Sequence, residues 1–315
     1  MKKILANDGM EAEGIKLLEK AGYIVITEKV AQDELSEAIN ENDYVALTVR
    51  SATKVNKELI DQCPSLRVIA RGGVGMDNID VEYAKKKNIQ VVNTPAASSL
   101  SVAELVIAHI YSMSRWLHES NRTMPVQGGT EFAALKKKYS KGYELGGKTM
   151  GIIGFGRIGQ SVAKLALGNG MKVVAYDPFI ADAKIDVEIF GAGKVTAHIK
   201  TSSLDDVLKM SDYITLHVPG GKLIGKDEIK KMKKGVMLVN ASRGGVIDEK
   251  DLLEGLNSGH IAHAALDVFE GEPTPKKELL QHPKISMTPH IGGSTEEAQQ
   301  RIGVELAEKI IHFLR

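Results

Sequence analysis

Short apolar runs alternate with amphipathic stretches from one end of the chain to the other. In the first part, residues 3–6, 23–26, 44–49, 67–70 and 89–92 are compact apolar runs and read as strands. Residues 11–21 and 55–63 between them show helical spacing. Strands separated by helices predict a parallel sheet with right-handed crossovers, complete by about residue 95.

A long helix is expected next, with Ser101 as N-cap, Glu104 reaching back to it, and apolar residues to about Leu117. The following polar stretch holds Pro125, Gly128, Gly129 and the run Lys136, Lys137, Lys138. It is too long and polar for a tight turn and predicts an exposed arm or interface element. A second alternating series starts near Lys148. Its expected strands are 149–153, 172–176, 213–218, 236–239, 261–266 and 285–287, and its helices include 158–167, 204–210, 228–233 and 250–256. Ser294, Thr295, Glu296 and Glu297 form a capping-box signature before a last helix running to about Leu314. The fold class is therefore α/β, with two doubly wound parallel sheets.

The 315 residues suit two domains. Lys plus Arg is 41 and Asp plus Glu is 40, which gives nucleic-acid binding no bulk charge to work with. Cys63 is the sole cysteine, so no intrachain disulfide exists. No apolar stretch reaches the roughly 20 residues a membrane span needs, and the start lacks a signal-peptide core. A soluble cytoplasmic protein is expected. Glycine occurs 31 times, above the usual share of about 7 %, and announces tight turns or close backbone approaches.

Three of those glycines, Gly154, Gly156 and Gly159, form Gly-x-Gly-x-x-Gly between an expected strand and an expected helix. In that context the first serves the turn, the second lets a pyrophosphate approach, and the third allows close helix–strand packing. The anion would sit at the helix N-terminus. Asp177 ends the next strand, 18 residues after Gly159, close to the spacing of about 20 for a ribose-binding acid. A carboxylate there accepts from both ribose hydroxyls and repels a 2′-phosphate, and no arginine follows at 178–180. NAD is thus favoured over NADP. The alternative for Asp177 is a turn residue before Pro178.

A dehydrogenase acting on a hydroxy acid needs a cation for the carboxylate, a proton shuttle and a group that tunes the shuttle. Arg243 directly follows an apolar strand and could grip a carboxylate bidentately, although a surface arginine in a glycine turn has the same local sequence. Asp248 reads as a helix N-cap. Among nine histidines, His290 stands out for its place after a strand, before Gly292 and Gly293. His217 ends a strand and is a weaker candidate, and His109 and His118 lie in helical patterns. Glu270 or Glu272 could fix the tautomer of His290, and chemistry alone does not choose between them. No metal site is expected.

With these residues in place, the chain resembles the D-isomer-specific 2-hydroxyacid dehydrogenases over nearly its whole length. The resemblance rests on Val49 to Val55, Arg71 to Asn78, Asn93-Thr94-Pro95, Ser101 to Glu104, the glycine turn, Ala241 to Gly245, Ala265 to Phe269, Glu272-Pro273 and Pro289-His290. It implies Arg243 as carboxylate binder and carbonyl polariser, His290 as acid/base, and Glu272 as its partner. It implies a cofactor site drawn from Gly154, Gly156, Arg157, Ile158, Gly159, Asp177, His217, Val218, Pro219, Ala241, Ser242, Asp267, His290, Gly292 and Gly293, with Asp267 near the nicotinamide carboxamide. Arg50, Ser51, Arg71, Gly72, Gly73, Arg243 and His290 are the implied substrate residues, and Arg50 with Arg71, near Lys54, would hold a phosphate. The expected reaction is therefore oxidation of 3-phospho-D-glycerate to 3-phosphohydroxypyruvate, on the way to serine. A glyoxylate or hydroxypyruvate reductase is the alternative within the family, and a non-catalytic NAD(H)-sensing protein the alternative outside catalysis.

The resemblance further implies a substrate domain of residues 1–97 plus 290–315, an NAD domain of 98–289, and a homodimer built by residues near 100–145. Serine feedback through a further regulatory domain is not expected. Four features depart from the family pattern. Val74 and Val218 stand where relatives often carry threonine, the stretch 220–223 is short, and 96–98 lacks a frequent asparagine.

Overall fold

The computed structural model describes residues 1–315 as two compact units, Met1–Ser99 with Gly293–Arg315, and Leu100–Gly292. In chain order the first unit holds β1 (Lys3–Ala6), α1 (Ala12–Lys20), β2 (Ile24–Ile26), α2 (Leu35–Glu41), β3 (Tyr44–Val49), α3 (Lys57–Gln62), β4 (Val68–Arg71), α4 (Val81–Lys86) and β5 (Gln90–Asn93). The second holds α5 (Ser99–Ser114), α6 (Leu117–Lys138), β6 (Thr149–Ile153), α7 (Arg157–Gly168), β7 (Lys172–Tyr176), β8 (Asp182–Ile189), β9 (Gly193–Lys200), α8 (Leu204–Met210) and β10 (Tyr213–Leu216). It continues through α9 (Lys226–Lys231), β11 (Val236–Asn240), α10 (Glu249–Ser258), β12 (Ile261–Leu266), α11 (Lys277–Leu280) and β13 (Ile285–Met287). The chain then returns to the first unit as α12 (Glu296–Leu314).

The first unit's sheet runs β2-β1-β3-β4-β5, every neighbouring pair parallel. Its strands are near-continuous apolar runs because both faces are covered. Leu5, Leu47 and Ile69 pack on one face with Leu35, Ile39, Leu59 and Ile60. Their neighbours Ile4, Ala46, Val68 and Ala70 face the other way, onto Leu18, Ile302, Leu306 and Ile310. α1 and α12 cross at two glycines: a Cβ on Gly14 would stand 2.5 Å from the Gly303 carbonyl oxygen.

The second unit's main sheet runs β13-β12-β11-β10-β6-β7, again all parallel. Ile152, Met237 and Val239 pack with Val106 and Ile110 of α5 and Val162 and Ala166 of α7. Ile153, Val236 and Leu238 pack on the opposite face with Val207, Ile229, Leu252 and Leu279. The order reverses between β6 and β10, the switch point at which open α/β sheets bind ligands. No helix is long and apolar enough to cross a membrane.

Four local expectations are corrected. The long helix begins at Ser99, so Ser101 lies inside its first turn and is not the N-cap. It breaks at Trp116, whose φ of +60° is left-handed. The expected arm around 125–138 is instead helical, as α6, with Pro125 inside and a kink at Glu131. The last helix is capped by Thr295, which accepts from Ala298 N, one residue later than Ser294. An antiparallel hairpin, β8 with β9, also occupies residues for which no element was expected.

Candidate active site

The glycine turn follows β6, and its three glycines do different work. Gly154 has a φ of +91°, and a Cβ there would sit 2.3 Å from the carbonyl oxygen of His217, just past β10. Gly159 lets α7 approach the sheet, since a Cβ would lie 2.2 Å from the Gly154 oxygen. Gly156 is the N-cap of α7, and a Cβ there would meet nothing within 4 Å. The backbone at the start of a 12-residue helix is thus open to an anion. Arg157 is exposed and Ile158 half-buried on the first turn.

Asp177 closes the turn from the side. Its Oδ2 accepts from Phe155 N at 2.7 Å, and its Oδ1 from Phe179 N and Ile180 N at 2.9 and 3.1 Å. A carboxylate has about four acceptor positions, so about one remains for a ribose hydroxyl. That modifies the expectation that both hydroxyls bind there without rearrangement. His217 and Val218 border the turn, and Pro219 is exposed beyond them. Burial pushes the His217 imidazole down to about 3, which keeps it neutral. Its Nε2 lies 3.0 Å from Thr215 Oγ1, while its buried Nδ1 has no partner. An open helix start, a glycine cradle, a strand-end acid and an unpaired buried nitrogen at one switch point fit a dinucleotide. Gly154, Gly156, Gly159, Arg157, Ile158 and Asp177 would hold it.

Three loops follow the adjacent strands β11, β12 and β13. After β11, Asn240 shapes the turn with Ala241, Ser242 and Arg243. Its Nδ2 donates to the Arg243 carbonyl oxygen at 2.8 Å, and its Oδ1 accepts from Ser242 N and Ser242 Oγ. This turn lies against the next loop: a Cβ on Gly244 would stand 2.0 Å from the Phe269 oxygen. Asp248 caps α10 by accepting from Asp251 N.

Geometry separates the two acids after β12. Glu272 Oε1 accepts from Phe269 N at 2.8 Å, and its Oε2 lies 2.8 Å from His290 Nδ1. Because a carboxylate only accepts, Nδ1 is the donor, and in a neutral ring Nε2 then presents a lone pair. Glu270 turns instead to Lys276, whose ammonium also meets Glu249. Buried Glu249 in turn accepts from Glu270 N, and the two carboxylates hold Lys276 well above the usual lysine range.

The third loop carries His290 and is gripped by Asp267, 2 % exposed. The Asp267 carbonyl accepts from His290 N, and its carboxylate accepts from Ile291 N, Gly292 N and Thr288 Oγ1. Ser242 and Asp267 are thus internally engaged. In the first unit, Arg50 and Ser51 follow β3, while Arg71 ends β4 beside Gly72 and Gly73. Val49 and Arg71 are register partners. Asp8 accepts from Arg50 N and Thr53 N, and Gly73 N donates to Thr94 Oγ1. Gly293 lies against Ser98 in the same unit. Asn240, Glu249 and Thr288 were not foreseen; only Asn240 had a local signal, as a turn-forming residue before Ser242 and Arg243.

The fold and the glycine turn define a dinucleotide-binding protein. The profile of the D-isomer specific 2-hydroxyacid dehydrogenase NAD binding domain matches residues 107–292, and the chain belongs to that family as an NAD-dependent D-2-hydroxyacid dehydrogenase. It is 44 % identical to a hydroxypyruvate reductase of Thermotoga maritima over 99 % of this chain and 98 % of that one. It is 43 % identical to a D-3-phosphoglycerate dehydrogenase of Methanocaldococcus jannaschii, matching over 100 % of its own length but spanning only 58 % of the relative's. An NAD-dependent formate dehydrogenase of Staphylococcus aureus, solved with NAD, is similar at a TM-score of 0.79 and 29 % identity, covering 100 % of this chain and 96 % of that one.

Proposed function

We propose that the chain oxidises 3-phospho-D-glycerate to 3-phosphohydroxypyruvate with NAD, a first step toward serine. Arg243, Glu272 and His290 are the residues proposed for the reaction, and Arg50 and Arg71 those proposed for the phosphate. Bound NAD would supply the acceptor for the hydride that leaves C2. Neutral His290 takes the hydroxyl proton on Nε2, while Glu272 holds Nδ1–H and stabilises the imidazolium that forms. Arg243 grips the substrate carboxylate and steadies negative charge developing on the C2 oxygen. The products balance as 2-oxo acid, NADH and one proton.

The observation that supports the substrate reading is the placement of Arg50 just after β3 and of Arg71 at the end of the neighbouring strand β4, beside one glycine turn. A Cβ on Gly73 would stand 2.1 Å from Arg71 Nη1, and one on Gly72 would stand 3.7 Å from Arg50 Cγ. Two guanidinium groups at neighbouring parallel-strand ends suit a dianion. A hydroxypyruvate reductase is the second reading, favoured by the relative that this chain matches over 98 % of its length. We further propose that two copies associate through α6, whose Val126 is 81 % and Phe132 61 % exposed.

Nicotinamide absorbance followed with 3-phosphoglycerate, glycerate, lactate, glyoxylate and 2-oxoglutarate, each with NAD(H) and NADP(H), tests this reading. The expected result is best turnover with 3-phosphoglycerate and NAD, and a rise in KM for that substrate alone in Arg50→Ala. Best turnover of an unphosphorylated acid overturns the substrate assignment.

A further inference from the structure

His109 is a buried imidazole in α5, 4 % exposed, that neither dinucleotide binding nor proton transfer employs. Its Nδ1 lies 2.9 Å from Ser286 Oγ and its Nε2 3.1 Å from Thr288 Oγ1. Thr288 is two residues before His290 and donates to Asp267 Oδ1 at 2.6 Å.

Donor order along this chain is fixed from the carboxylate outward. Asp267 only accepts, so the Thr288 hydroxyl proton points to it. The Thr288 oxygen must then accept, and His109 donates to it from Nε2–H. His109 Nδ1 is left as an acceptor for the Ser286 hydroxyl. Burial lowers the His109 imidazole below the usual histidine range, in keeping with the neutral tautomer this order requires.

The far end of the chain holds a strained backbone. His290 has a φ of +54°, a conformation that a non-glycine residue keeps only where its surroundings over-determine it. Here the surroundings are Asp267. Its carbonyl takes the His290 amide at 2.8 Å, and its carboxylate takes the next two amides at 2.8 Å each. Two consecutive N–H groups, those of Ile291 and Gly292, thus depend on the orientation of one carboxylate. That carboxylate is steered by the Thr288 hydroxyl, whose rotor is set by His109.

We propose that His109 is a positioning residue for the proton-transfer histidine, acting through Thr288 and Asp267 on the 288–292 loop. The catalytic part of this statement rests on the reaction proposed above; the loop-holding part does not.

The test compares the intact enzyme with His109→Leu, His109→Gln, Thr288→Val and the His109→Leu/Thr288→Val double variant. The readouts are kcat, KM and hydrogen exchange at the amides of Ile291 and Gly292. His109→Leu is expected to lower kcat about 10- to 100-fold with KM within about twofold, as slight misplacement of a reacting group does. It should also speed exchange at those amides about tenfold or more. His109→Gln, which can still donate toward Thr288 and accept from Ser286, should keep kcat within about fivefold. The double variant should be no worse than Thr288→Val alone, because both changes cut one chain.

Unchanged kcat and exchange in His109→Leu overturn the proposal. So does an equal loss in His109→Gln together with an additive double variant, which marks simple packing. If His109→Leu does not fold, the proposal requires loss in Thr288→Val and retention in His109→Gln, and any other pattern overturns it. If the wild type turns over no hydroxy acid, the proposed reaction fails, and exchange at Ile291 and Gly292 alone decides. Faster exchange in His109→Leu but not His109→Gln supports the positioning role, and equal rates overturn it.

Discussion

Lowering the pH from 8 to 5 should destabilise the second unit far more than its surface charges suggest. Burial pushes the His217 imidazole down to about 3 and the His263 imidazole down to about 4, from 6.5. Each also has a buried Nδ1 with no acceptor waiting for a proton. At pH 5 both stay neutral in the native state but are protonated once unfolded. The unfolded chain therefore binds more protons, and stability present above pH 6.5 is lost as the pH falls toward the folded values. Each group contributes about 1.5 pH units at ~1.4 kcal/mol per unit, or ~2 kcal/mol, and the pair ~4 kcal/mol. His109, His118 and His282 are lowered too, chiefly by burial, and act with the same sign. Asp212 and Asp248, lowered from 3.8, lose their contributions only at lower pH. Against a typical total of about 5–15 kcal/mol, the histidine effect is large. Urea unfolding followed by tryptophan fluorescence measures it directly. Trp116 is the sole tryptophan, lies in this unit, and stacks edge-on with His263 at 4.7 Å. His263→Leu should lower the pH dependence by about half of the pair's ~4 kcal/mol. A wild-type stability that is flat from pH 8 to 5, or a variant with the full slope, refutes the reasoning.

Gly159→Ala should drive its methyl into the Gly154 oxygen, lower stability by ~1–3 kcal/mol and weaken NAD binding at least about tenfold, read by thermal melts and calorimetry. Unchanged affinity would show that α7 need not approach so closely. Glu272→Gln offers one oxygen where two are used: either Phe269 N–H faces an NH2 group, or His290 Nδ1 does and its tautomer reverses. A kcat loss of about 10²- to 10⁴-fold at nearly constant NAD affinity is expected, and near-normal kcat argues against the pairing.

Most of the fold was legible because strands buried on both faces leave compact apolar runs that few other structures produce. What escaped was local or long-range. β8 and β9 alternate apolar and charged residues, with Ile185 and Ile199 buried but Val195 exposed, so no compact run announced them. Pro125, Gly128 and Gly129 disguised α6, which is a solvent-facing helix with only Leu135 buried. Adjacent hydroxyl residues made the caps ambiguous by one or two positions. The glycine turn and the place of His290 could be read locally. The choice of Glu272 over Glu270 could not, since it depends on where Lys276 and Glu249 lie. Neither could the His109–Ser286 contact, which joins residues 177 apart.

The central claim is that a neutral His290, its Nδ1 proton held by Glu272, is the base that takes the hydroxyl proton. The most direct measurement is kcat of His290→Asn beside its separately determined affinity for NAD. A fall of about 10²- to 10⁴-fold in kcat with affinity unchanged is expected. Turnover near the wild-type rate would contradict the account.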